Sequence, residues 1–173
     1  MRAVIPALAA GLLCAAAPVQ APRGVYTSLD TAHCRLLSTD PETGGALHRC
    51  GGVGGYALNV ADDDARMSVG VVAPGGRVHE LSYWGVITGN FSSLGPRAEW
   101  RVRGTRPYAL VVRVNAYEDP ANPSRPTSYL AVARISARGS CVTDRIGPSA
   151  NANELARRAA DSSANRPCLR GRP

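Results

Sequence analysis

From residue 25 to residue 146 apolar and polar side chains alternate with a period of two in short runs, broken by turns rich in Gly, Pro and Asp. The clearest run is Tyr108-Ala-Leu-Val-Val-Arg-Val-Asn-Ala-Tyr117. In a strand, Tyr108, Leu110, Val112, Val114 and Ala116 point one way, and the mixed set Ala109, Val111, Arg113, Asn115 and Tyr117 points the other. That is the signature of a half-buried strand in an antiparallel sheet. Its neighbours read as partners. Residues 25–29 form a short first strand or a segment laid across the sheet. Residues 34–38 and 47–50 flank the turn at 40–45, and residues 56–61 and 66–72 flank Asp62-Asp63-Asp64 as a hairpin. A strand over 78–84 follows Pro74-Gly75-Gly76. Residues 85–96 are less regular, with a surface loop at 89–95. Residues 99–103 alternate with Trp100 and Val102 inward and Arg101 and Arg103 outward. The three prolines of residues 119–126 exclude that stretch from a ladder and make it an exposed loop. Residues 129–135 and 141–146 supply the last strands.

The period changes after residue 150. Ala152, Leu155, Ala156, Ala159 and Ala160 share one helical face, and Arg157, Arg158 and Asp161 fall off it. Asn151 with Glu154 three residues later has the spacing of a capping box. These elements predict a mainly β (β-rich α+β) fold: an antiparallel sheet, as a sandwich or partly open barrel, with one C-terminal helix. No repeat or linker divides the chain, so residues 22–168 read as one domain and residues 169–173 as a disordered tail.

The start of the chain changes the picture of where this domain works. Arg2, an apolar run to Cys14 and the small residues Val19 and Ala21 around Gln20 form a secretory signal peptide over residues 1–21. The run is too short for a spanning helix. Cys14 raises a lipid-anchored alternative, but Leu13 stands where such a site takes a small residue. The expected location is the periplasm or the exterior. Removal of the signal leaves Cys34, Cys50, Cys141 and Cys168, an even number that favours disulfides, with Cys34–Cys50 and Cys141–Cys168 as the sequence-local pairing. A four-Cys zinc site is disfavoured because no CxxC pair exists. If Cys141–Cys168 ties the Ala-rich helix to the sheet, Cys168→Ala should free it and raise hydrogen exchange over residues 152–163.

Charge narrows the chemistry. The formal charge is +7 and all 20 basic residues are Arg. Without Lys, Schiff-base catalysis, a Walker-type phosphate loop and a Ser–Lys nucleophile are excluded. The dispersed arginines fit a GC-rich genome, or a surface for an anionic envelope component. The glycine run Gly51-Gly-Val-Gly-Gly55 lacks a Lys and reads as conformational. His33, His48 and His79 lack metal-ligand spacing. Asp62, Asp63 and Asp64 read as a solvated turn, not a calcium loop. No Gly-x-Ser-x-Gly is present, and Glu80, Glu99, Glu118 and Asp119 are the carboxylates that an envelope carbohydrate hydrolase would need in a convergent pair. No catalytic residue, metal, cofactor or nucleic-acid partner is assigned. Tyr83, Trp84 and Phe91 are the candidate binding surface, since Tyr and Trp favour contacts. Trp100 reads as core. The expected function is a non-catalytic binding domain for a protein or an anionic envelope component. The alternatives are an inhibitor or accessory of an envelope enzyme, using the loops at 85–96 and 119–126, and a hydrolase.

The segments Tyr26-Thr-Ser-Leu-Asp30, Cys34-Arg35, Cys50, Gly54-Gly-Tyr56, Cys141 and Asn151-Ala-Asn-Glu-Leu-Ala-Arg157, with Ala160-Asp161, resemble a group of uncharacterised exported proteins of proteobacteria. The resemblance implies periplasmic placement and carries over no functional residue.

Overall fold

The computed structural model describes residues 20–136 and 139–171. Residues 1–19, which hold Cys14 and most of the expected signal peptide, and residues 172–173 of the expected tail lie outside the described residues. Ten strands and two helices follow in order: β1 (Arg23–Ser28), β2 (Arg35–Thr39), β3 (Ala46–Gly51), β4 (Ala57–Asp63), β5 (Arg66–Val72), β6 (Val78–Glu80), α1 (Tyr83–Val86), β7 (Ser92–Arg103), β8 (Arg106–Ala116), β9 (Thr127–Arg134), β10 (Cys141–Ile146) and α2 (Ala152–Asp161). The fold is mainly β with a C-terminal helix, as the periodicity predicts.

The strands form one sheet in the order β10-β9-β8-β7-β5-β4-β3-β2, with β1 on β7 and β6 on β5. Among the described residues every pairing is antiparallel except the bridge of Arg66 with Ser92, which joins β5 to β7 in parallel. That bridge divides the sheet into halves, β2–β6 and β1 with β7–β10. The sheet is not closed into a barrel. Leu58, Val60, Val69 and Val71 of one half and Trp100, Val102, Leu110, Val112, Val114 and Ala133 of the other bury in one core. The alternation on β8 explains this: Leu110, Val112 and Val114 face that core, and Ala109 and Val111 face α2. The expected mixed face of β8 is therefore a second buried face, covered by Ala156, Ala159 and Ala160.

Both expected disulfides are present. Cys34–Cys50 clamps the start of β2 to β3, and Cys141–Cys168 ties the segment after α2 to β10. They place the protein in an oxidising compartment. No described helix is long and apolar enough to cross a membrane. Leu169, read from the sequence as the start of the tail, donates its amide to Val142 O at 2.8 Å.

Several local expectations are corrected. A bulge between the pairs Arg101–Ala109 and Val102–Pro107 turns Tyr108 away from Leu110 and toward α2. The strand read over 78–84 stops at Glu80, because Ser82 turns left-handed at φ 48° and starts α1. Residues 92–95 are not loop: β7 begins at Ser92, and a bulge between Leu94 and Ala98 absorbs Gly95 and Pro96. Arg101 is not outward in water but 8 % exposed beneath α2. Asn151 precedes α2 without a side-chain cap bond, and Glu154 pairs with Arg158 one turn on instead.

Candidate functional site

The β4–β5 hairpin turns through Asp64 and Ala65, both left-handed at φ 50° and 59°. Asp62 Oδ1 accepts the Ala65 amide at 3.0 Å and so fixes the turn. This sets Arg66 at the start of β5, where it meets Ser92, whose amide donates to Ala65 O at 2.8 Å. Phe91 is thereby carried to the side of Arg66.

The second aromatic arrives from the opposite direction. The left-handed Ser82 reverses the chain, and the Tyr83 amide donates to Ser68 Oγ at 3.1 Å. Tyr83 drops into the core at 1 % exposure. Trp84, the next residue on the short helix, is left outside at 62 % exposure, with its Nε1 donating to Gly89 O at 3.0 Å. Tyr83 therefore does not belong to the surface that the sequence groups it with. Trp100 is 0 % exposed and is core, as read.

The Arg66 guanidinium lies 4.6 Å from the Phe91 ring centroid and 5.8 Å from that of Trp84. Both are cation–π distances. Its Nη1 donates to Asp64 Oδ2 at 2.7 Å, while its buried Nε has no partner among the described residues. Tyr117 completes the patch. Its amide donates to Phe91 O at 2.9 Å and its hydroxyl lies 3.3 Å from Ser93 Oγ. Phe91 is 50 % exposed, and a groove of about 440 Å³ runs between it, Tyr117, Met67 and Pro123. Beside Trp84 opens a cleft of about 700 Å³, lined also by Thr88, Asn90, Glu118 and Arg145. The loops at 85–96 and 119–126 thus contribute to one end of the molecule. The Trp84 ring is held by its hydrogen bond to Gly89 O and both rings lie at cation–π distance from Arg66, which lowers the entropy lost when a partner covers them. Trp84 and Phe91 are candidates named from the sequence, and Arg66 and Tyr117 are not among them. The available signal for Tyr117 was an aromatic residue just after the last residue of β8.

A second polar cluster lies under α2. Arg101 Nε and Nη2 donate to Asp161 Oδ1 and Oδ2 at 2.8 and 2.9 Å, and Tyr108 OH donates to Oδ1 at 2.6 Å. Arg157 Nε donates to both Glu99 oxygens at 2.9 and 3.1 Å, its Nη2 reaches Tyr26 OH at 2.8 Å, and Tyr26 OH donates to Glu99 Oε2 at 2.9 Å. Burial pushes the Asp161 carboxyl upward, but the hydrogen bonds of Arg101 and Tyr108 outweigh it and hold the group below the ordinary carboxylate range. Burial, with Asp161 alongside, raises the Tyr108 phenol. The cluster clamps helix to sheet and leaves Glu99 fully engaged.

The other sequence candidates are placed as follows. Glu118 accepts the Tyr129 hydroxyl and stands 4.0 Å from Arg145, and Asp119 holds the Ala121 amide and Asn122. Glu80 lies on β6 opposite Gly70, and burial raises its carboxyl. His33 pairs with Asp30 at 3.1 Å, His48 sits on β3 opposite Leu36 and Val60, and His79 sits on β6 opposite Val71. Among the described residues no group of three or more His, Cys, Asp or Glu is placed to hold a metal ion.

No protein-family model, curated protein or solved structure matches the chain.

Proposed function

We propose that the protein is an exported, periplasmic binding domain that acts by contact and not by catalysis, with Trp84, Phe91 and Tyr117 as its contact surface. The observation that carries this reading is the pair of half-exposed to largely exposed rings, Trp84 and Phe91, both within cation–π distance of the Arg66 guanidinium on a disulfide-stapled sheet. Aromatic and Arg side chains in a fixed arrangement are the usual anchors of protein interfaces. An inhibitor or accessory role for an envelope enzyme is the second reading, favoured by the convergence of the loops at 85–96 and 119–126 on this one end. The resemblance to exported proteobacterial proteins and the signal peptide support the periplasmic placement.

The test uses the oxidised protein, immobilised and exposed to separated protein, glycan and lipid fractions of a cell envelope. One fraction should bind and protect Trp84, the exposed one of the 2 tryptophans, from acrylamide quenching. Trp84→Ala with Phe91→Ala should weaken that binding about a hundredfold, at typical hot-spot magnitudes. Equal retention by the double variant with unchanged circular dichroism would overturn the assignment.

A further inference from the structure

The end of the molecule opposite the aromatic patch has a different chemistry. Three turns converge there: the glycine run before β4, the β5–β6 turn at Pro74–Gly76, and the β7–β8 turn at Gly104 and Thr105. Gly54 takes φ 62°, and a side chain there would stand 2.6 Å from Thr105 O and 2.8 Å from Pro107 Cδ. Only Gly lets the two turns approach so closely. Gly55, at φ 82°, lies in ordinary contact distance of Pro74, its missing Cβ 3.4 Å from the ring. The turns enclose an open cleft of about 620 Å³, lined by Gly54, Gly75, Arg77, Thr105 and Arg106 among others.

The charge of this cleft is one-sided. Its lining contains no Asp or Glu. Neither Arg77 nor Arg106 joins an ion pair among the described residues, a state they share with about half of the arginines. The Gly54 and Gly75 amides, in turns, donate to no described residue. Two uncommitted guanidinium forks, with a Thr and two turn glycines among the lining residues, make a carboxylate-free concavity of the kind that a phosphate or carboxylate oxyanion takes.

We propose that this cleft is an anion site for a phosphate group, gripped by Arg77 and Arg106 with the Gly54 and Gly75 amides and Thr105 completing the oxygen contacts. A soluble ester and a phospholipid headgroup offer the cleft the same phosphate chemistry. The site is separate from the aromatic surface and does not rest on that surface's role.

The test is an amide-resolved NMR titration of the oxidised protein with inorganic phosphate, beside sedimentation with phosphatidylglycerol vesicles and with phosphatidylcholine vesicles. The Gly54, Gly75 and Thr105 resonances should shift saturably. Arg77→Gln with Arg106→Gln should weaken binding by about tenfold or more, as expected for lost charge-assisted bonds. Arg125→Gln, in the exposed loop at the aromatic end, should leave it unchanged, and so should Trp84→Ala with Phe91→Ala. Tighter binding to phosphatidylglycerol vesicles than to free phosphate identifies a headgroup ligand; phosphate binding with no vesicle sedimentation identifies a soluble ester. Absence of saturable shifts at Gly54 and Gly75 would overturn the site. An equal loss from Arg125→Gln would also overturn it, showing diffuse charge in place of a built cleft.

Discussion

The Tyr83 side chain is 1 % exposed, and its hydroxyl has no hydrogen-bond partner among the described residues. Burial drives its phenol far above the ordinary range. A buried hydroxyl that loses water without gaining a partner costs about 1–3 kcal/mol. Tyr83→Phe keeps the ring and removes the cost, so it should stabilise the fold by about 1 kcal/mol, read as a rise in the midpoint of urea unfolding. A strained turn offers a second case. Ala65 is left-handed at φ 59° in a two-residue hairpin turn where Gly or Asn is usual. Ala65→Gly should add about 0.5–1 kcal/mol, the relief of a left-handed Cβ less the entropy of Gly; thermal unfolding checks it. At this scale the sequence was half legible. Asp62-Asp63-Asp64 announced a turn, but nothing in the residue types announced a left-handed Ala. Tyr83 and Trp84 are adjacent aromatics with no local difference. The turn at Ser82, not their chemistry, sends one inward and one out.

Among the elements, α2 shows what pattern reading reaches and where it ends. Its Ala face is written in the spacing of Ala156, Ala159 and Ala160, and that face is buried. Alanine surface is small, and the clamp that supplements it pairs Asp161 with Arg101 and Arg157 with Glu99. Those partners are about 60 residues apart in sequence, and no periodicity links them. Arg101 looked like an outward residue because the strand pattern marks a face without saying what will cover it. The clamp has a pH signature. With the Asp161 carboxyl held below its unfolded value, its contribution is complete above the ordinary carboxylate range and is lost as pH falls through the lowered folded value. Protection factors for hydrogen exchange over 152–161 should therefore fall below about pH 4. Asp161→Asn should exchange faster already at neutral pH and lose most of that acid response. The Cys141–Cys168 bridge holds the chain after α2 to β10, so Cys141→Ala with Cys168→Ala should raise exchange in the same residues at neutral pH.

For the molecule as a whole, the sheet and both disulfides were readable because they are local in sequence: hairpins join neighbours, and each bridge spans a short loop. The single parallel bridge of Arg66 with Ser92, which gathers Phe91, Trp84 and Arg66 at one end, is a product of the path between two half-sheets and left no trace in composition. The Cys34–Cys50 bridge spans 16 residues and holds β2, a strand on the sheet edge with every residue exposed, to its neighbour. Replacing both cysteines by Ala should cost about 3 kcal/mol on the loop-entropy scale, measurable as a lowered denaturation midpoint against the oxidised protein.

Strand β8 works as a ruler. It leaves the arginine cleft at Arg106 and Pro107 and delivers Tyr117 to the groove beside Phe91. Eleven residues of extended chain measure about 35 Å. A small molecule seated at one pole therefore cannot touch the other. Anything that engages both at once has to be a polymer or an assembly at least that long, or two separate bodies between which this domain stands as a spacer.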